Sequence, residues 1–144
     1  MDKWDEIMTC AMEMKMVSPG AKKEKLAGEI LVLYKKIMQE INSGSDDYDD
    51  RTGEVHCCAM QAFYELGKFE ESFEEGKKAL LYEDTFDQIY TLGILKELIG
   101  IAIKLFKKSN NRVNLNEAKM YGKKLLEIDP NNNFKKHIID ILSI

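Results

Sequence analysis

The chain has 144 residues, 44% hydrophobic and 32% charged, with a net charge of −4 and a pI near 5.3. That length suits one domain with a real core, and the composition is too apolar for a disordered chain. The acidic balance argues against a nucleic-acid binder, which needs a basic face for phosphates, and no run approaches the ~18 apolar residues of a membrane span.

Lys, Glu, Leu, Ile, Met and Ala dominate, all good helix formers, and only two prolines occur. Apolar residues recur at three- and four-residue steps, which predicts seven helices over 2–17, 22–42, 51–66, 69–83, 86–108, 115–128 and 133–143. The first opens on charged residues, unlike a signal peptide, so the expected location is the cytoplasm. It carries Trp4, Met8, Met12 and Met16 at four-residue spacing and stops at Ser18-Pro19-Gly20. This stripe is read as core against the second helix; exposed, its adaptable thioethers would suit a promiscuous partner.

The second helix ends at Asn42-Ser43-Gly44-Ser45, followed by Asp46-Asp47-Tyr48-Asp49-Asp50. That run lacks the glycine and closing glutamate of a calcium-binding EF-hand loop and reads as a solvated acidic loop. Leu66-Gly67-Lys68 marks a tight turn into helix four, and Glu83-Asp84-Thr85 the break before a long helix five. Thr85 with Gln88, and Asn114 with Glu117, each resemble a capping box, placing helix starts beside them. Asp129-Pro130-Asn131 stops helix six, and Phe134 to Leu142 forms an amphipathic last helix.

An internal repeat runs through these elements. Lys35-Lys36, Lys77-Lys78 and Lys123-Lys124 sit in matching contexts, at steps of 42 and 46 residues. Ala62-Phe63-x-x-Leu66 is echoed 40 residues on by Ala102-Ile103-x-x-Phe106. The expected architecture is all-α: a single domain, 1–144, of three antiparallel helix pairs (about 1–45, 50–84 and 85–131) and a capping helix, 132–144. One helix pair cannot bury its own apolar face, whereas stacked pairs share a core.

The segment Ala62-Phe63-Tyr64-Glu65-Leu66-Gly67-Lys68-Phe69-Glu70-Glu71-Ser72, continuing to Lys78-Ala79-Leu80, resembles a tetratricopeptide repeat. Ala62, Phe63, Gly67, Phe69, Ser72 and Ala79 hold the family's small, aromatic and glycine positions. Leu115, Ala118, Leu125 and the closing Ile128-Asp129-Pro130 are similar to its second helix and terminating proline. The repeat steps exceed the family's usual spacing, Asp84 stands where a proline usually falls, and the first unit is degenerate. The resemblance implies a right-handed superhelical array, a protein-binding scaffold whose groove is lined by the first helix of each pair.

On that alignment Val55, Ala59, Ala62, Phe63 and Leu66 face the core. The groove stripe is then Glu54, Cys57, Gln61, Tyr64 and Glu65, with Glu6, Cys10, Glu13 and Met14 before it and Ile94, Glu97, Ile101 and Lys104 after it. Candidate partner-binding residues are Glu6, Glu13, Glu54, Gln61, Tyr64, Glu65, Glu97 and Lys104, with Met14, Tyr64 and Ile101 as apolar contacts. Such a groove favours a basic or neutral peptide. It disfavours the family's carboxylate clamp for chaperone tails, which needs Lys, Arg and Asn on these helices.

His56-Cys57-Cys58 invites a metal or thiol-enzyme reading. Adjacent helical side chains diverge by about 100°, and no CxxC pair accompanies them, so neither metal nor catalytic role is assigned and no cofactor is implied. The three cysteines, Cys10, Cys57 and Cys58, read as reduced thiols. The expected function is a non-enzymatic module binding a protein or peptide. The alternative is a structural subunit that self-associates, or joins a larger complex, through the Met stripe or last helix.

Overall fold

The computed structural model describes residues 2–43 and 51–144. These form seven α-helices and one 3-10 turn, with no strand among the described residues. The helices are α1 (Lys3–Met16), α2 (Ala21–Asn42), α3 (Thr52–Glu65), α4 (Phe69–Leu80), α5 (Gln88–Ser109), α6 (Arg112–Ile128) and α7 (Lys135–Leu142). None of them is long and apolar enough to cross a membrane. The acidic run 46–50, read as a loop from sequence, lies outside the described residues. Two compact units result, Met1–Thr85 with α1 to α4 and Phe86–Ile144 with α5 to α7.

In the first unit, α1 is started by Asp2, whose side chain accepts from the Asp5 amide at 2.8 Å. The cap satisfies one orphan donor, and Asp5 and Glu6 lie where the helix dipole favours negative charge. Its buried face is Trp4, Ile7, Ala11 and Met14. This corrects the core reading of the Trp4–Met16 stripe, since Met12 and Met16 are 69% and 86% exposed. Four-residue steps drift by about 40° each around a helix of 3.6 residues per turn. The stripe therefore leaves the core face by its third member, while the alternating 3-4-3 spacing stays on it.

Helix α3 is the centre of this unit, packed against α1, α2 and α4. Every residue from Val55 to Met60 is buried. Arg51 fixes the start of α3 to α1, its guanidinium 2.7 Å from Asp5 and 5.5 Å from the centre of the Trp4 ring. The turn into α4 depends on Gly67, at φ 73°, a conformation that side chains with a Cβ resist. Around it the Lys68 amide donates to Phe63 and the Gly67 amide to Tyr64, the paired bonds of a Schellman helix end. Beyond the turn, fully buried Ser72 donates its hydroxyl to the Met60 carbonyl at 2.7 Å, and the Phe69 ring meets Tyr64 edge-on at 5.3 Å.

In the second unit, α5 and α6 form a hairpin and α7 packs on α6. Both helix starts differ from the sequence expectation. Asp87, not Thr85, caps α5 by accepting from the Tyr90 amide at 2.8 Å, and Thr85 instead donates to the Tyr82 carbonyl. Asn111, not Asn114, caps α6 by accepting from Val113, so this helix begins three residues earlier than 115. The early start is possible because Asn110 takes the left-handed conformation, φ 55°, and reverses the chain in two residues.

Gly122 of α6 lies close against α7, where a Cβ would stand 2.8 Å from Cγ2 of Ile138. Alanine is the better helix former by about 1 kcal/mol, so a net loss on substitution isolates the contact. Gly122→Ala is expected to destabilise the chain by about 1–3 kcal/mol in chemical denaturation. In the Ile138→Ala background the same substitution should cost less, and strictly additive effects would disprove the contact.

Candidate functional site

The expected groove residues divide by exposure. On α1, Glu6 and Glu13 are exposed; on α3, Glu54, Gln61 and Glu65 are half-buried and Tyr64 is 38% exposed. Glu65 pairs with Lys23 of α2 at 3.4 Å. Glu97 and Lys104 are exposed on α5 in the second unit. Met14, Cys57, Ile94 and Ile101 belong to the core instead, each at 4% exposure or less, which corrects their assignment to the stripe. A helix packed on three sides, as α3 is, has little room for a polar face. Of the expected core residues, Val55, Ala59 and Ala62 are buried, while Phe63 and Leu66 are half-buried.

Beneath the α3 surface lies a polar cluster that joins three helices. Tyr34 of α2 donates its hydroxyl to the Glu75 carboxylate of α4, 2.7 Å from each oxygen. The Nδ1 of His56 in α3 donates to Glu75 Oε2 at 2.8 Å, and the Lys78 ammonium lies 3.2 Å from Oε1. The Tyr82 ring stacks on His56 at 6.1 Å between ring centres. His56 and Glu75 are 7% and 6% exposed, so this is a buried carboxylate with three donors.

Burial alone would raise the Glu75 carboxyl, but the hydrogen bonds from His56 and Tyr34, with the attraction of His56 and Lys78, hold it below the ordinary 4.5. Burial, reinforced by the Glu75 bond and charge, pushes the Tyr34 hydroxyl well above its usual range. The cluster is thus a neutral phenol and an imidazole locked onto an ionised carboxylate. Every ligating atom of Glu75 is already occupied. Sequence inspection singled out His56 for its cysteine neighbours and missed its partners, which are 22 and 19 residues away on other helices.

The thiols are set apart from this cluster. Burial pushes Cys58 up to about 12, and burial with the nearby Glu29, Glu13 and Glu6 carboxylates raises Cys10. Cys58 donates instead to the Met8 sulfur at 3.7 Å. Among the described residues no three His, Cys, Asp or Glu side chains gather as a metal set.

Charge is distributed unevenly along the chain. The first unit carries nineteen acidic and eleven basic residues, net −8, and the second six acidic and ten basic, net +4. A count by halves would have shown this in the sequence, where the overall −4 conceals it. Each unit concentrates its sign beside an open groove. That on α4, about 300 Å³, is lined by Phe63, Glu70, Glu71, Glu74, Glu75 and Lys78. That on α6, about 560 Å³, is lined by Asn116, Lys119, Met120, Lys123, Lys124 and Glu127.

No protein-family model matches the chain, and no curated protein matches it.

Three outcomes test this description. Tyr34→Phe removes a donor from a buried carboxylate and should cost about 1–3 kcal/mol in denaturant unfolding at neutral pH. Because the folded Glu75 value is depressed, its contribution is fully present above pH 4.5 and lost as pH falls through the folded value. The stability gap between the wild-type chain and Glu75→Gln should therefore close on acidification, and a gap unchanged at low pH would refute the ionised cluster. With a thiol reagent on the native chain, half-exposed Cys10 should react first. Buried Cys57 and Cys58 should react only at the rate of unfolding.

Proposed function

We propose that the chain is a non-enzymatic protein-interaction module, a tetratricopeptide-like scaffold that holds a basic or neutral segment of a partner protein. The observation that carries the reading is the net −8 of the first unit together with the exposed Glu6, Glu13 and Tyr64 on α1 and α3. Carboxylates on a rigid helical frame steer a cationic segment and fix its register, while an aromatic such as Tyr64 supplies contact area at low entropic cost.

The family reading is supported by the tasks that its marker positions perform. Gly67 makes the left-handed turn, Ser72 lets α4 approach α3 closely, and Ala62 and Ala79 are fully buried. The buried Tyr34–His56–Glu75 cluster supports an interaction role more than a chemical one. Its donors and acceptors are spent on one another, and a buried, satisfied network specifies how helices pack.

Titrating the chain with a fluorescent lysine-rich peptide tests the proposal. Binding should weaken at least about tenfold in the Glu6→Lys, Glu13→Lys double variant, and it should fall as salt rises. Circular dichroism should stay unchanged, both positions being exposed. Equal binding by the double variant would remove α1 from the site.

A further inference from the structure

We propose that one copy of this chain docks onto another by laying the lysine face of α6 along the glutamate face of α4. The faces are complementary position by position. At four-residue steps α4 presents Glu70, Glu74 and Lys78, and α6 presents Lys119, Lys123 and Glu127. Residues so spaced lie along one side of a helix. With the two helices side by side and parallel, a single register opposes Glu70 to Lys119, Glu74 to Lys123 and Lys78 to Glu127. Each pair is of opposite sign, including the last, where both helices reverse their charge.

Other arrangements of the same faces lose the match. Antiparallel, Glu70 would face Glu127 and Lys78 would face Lys119. Shifted by one turn in parallel, Glu74 would meet Glu127. Like charges set opposite one another are how an interface rejects wrong registers, so the pattern selects one orientation.

The side chains are placed to take part. Glu70, Glu74, Lys78, Lys123 and Glu127 are exposed. Glu74 pairs with Lys77 at 2.8 Å and Lys78 with Glu75 at 3.2 Å on their own helix, and Lys119 is half-buried with its ammonium on the Ile144 carbonyl. Met120 is 53% exposed in the middle of the lysine face, and Phe63 lines the α4 groove, so an apolar contact accompanies the charges. The net charges of −8 and +4 on the units that carry the two faces draw copies together in the same sense. Because the surfaces differ, the contact is head-to-tail and forms either a closed ring of copies or a chain. It uses neither the α1 nor the α3 stripe, and so stands apart from the partner-binding reading.

Sedimentation equilibrium of the full chain at about 20 mM and about 500 mM salt tests the proposal, since the screening length falls severalfold between them. At low salt the mass should rise with concentration, and at high salt the chain should return to monomer. Glu70→Lys with Glu74→Lys, or Lys119→Glu with Lys123→Glu, should each weaken association at least about tenfold. In a mixture of the two double variants, the intact lysine face of one can meet the intact glutamate face of the other. The two reversed faces are again opposite in sign, so association should return. Glu6→Lys with Glu13→Lys lowers the net negative charge of the first unit without touching either face, and should weaken self-association far less than either face reversal. A monomer at every concentration in low salt would overturn the proposal. So would association that survives both reversals, or a mixture that stays monomeric while both variants keep the wild-type circular dichroism.

Discussion

Glu75 sits on α4 with almost no exposure to water, and an isolated carboxylate there would be costly to bury. Its ionised state depends on donors that arrive from α2, α3 and its own helix. Those donors meet only if α2, α3 and α4 hold one relative placement, so the charge acts as a registration point between successive hairpins. Apolar contacts such as Leu33, Ile37 and Ala59 supply burial without direction, and many arrangements would satisfy them nearly as well. A buried ion needs one arrangement. In this chain the polar cluster restricts the geometry that the apolar core makes stable.

The second unit achieves order by different means. Among the described residues, the buried side chains of α5, α6 and α7 are Leu, Ile and Ala together with Thr91 and Tyr121. Its geometry comes from close approach and chain reversal: Gly122 admits α7, and Asn110 turns the chain within two residues. The two units thus rest on different physical devices, and their opposite net charges add to the contrast.

The helices were legible in the sequence because apolar periodicity reports burial directly. All seven occur, and most ends fall within two residues of expectation. The starts of α5 and α6 were misplaced because Asp87 and Asn111 compete with Thr85 and Asn114 for the same role, and spacing alone does not rank them. The α3 stripe was misread at Cys57 because a helix pattern shows which face is most apolar, not how many neighbours a helix has. The Tyr34–His56–Glu75 cluster was invisible for a deeper reason. Each member sits among unremarkable helical neighbours, and only the tertiary fold turns three separate polar residues into one group.

The drift of the α1 methionines around their helix has a chemical consequence. Thioether sulfur is oxidised to the polar sulfoxide where oxidant reaches it. Met12 and Met16 stand in solvent, whereas Met14 and Met60 are enclosed in the core. Peroxide would therefore meet the two outer thioethers first, at positions where an added oxygen disturbs no packing. A single helix then carries both kinds: Met12 and Met16, whose sulfoxides water would solvate, and between them Met14, whose sulfoxide would have to be accommodated in the core.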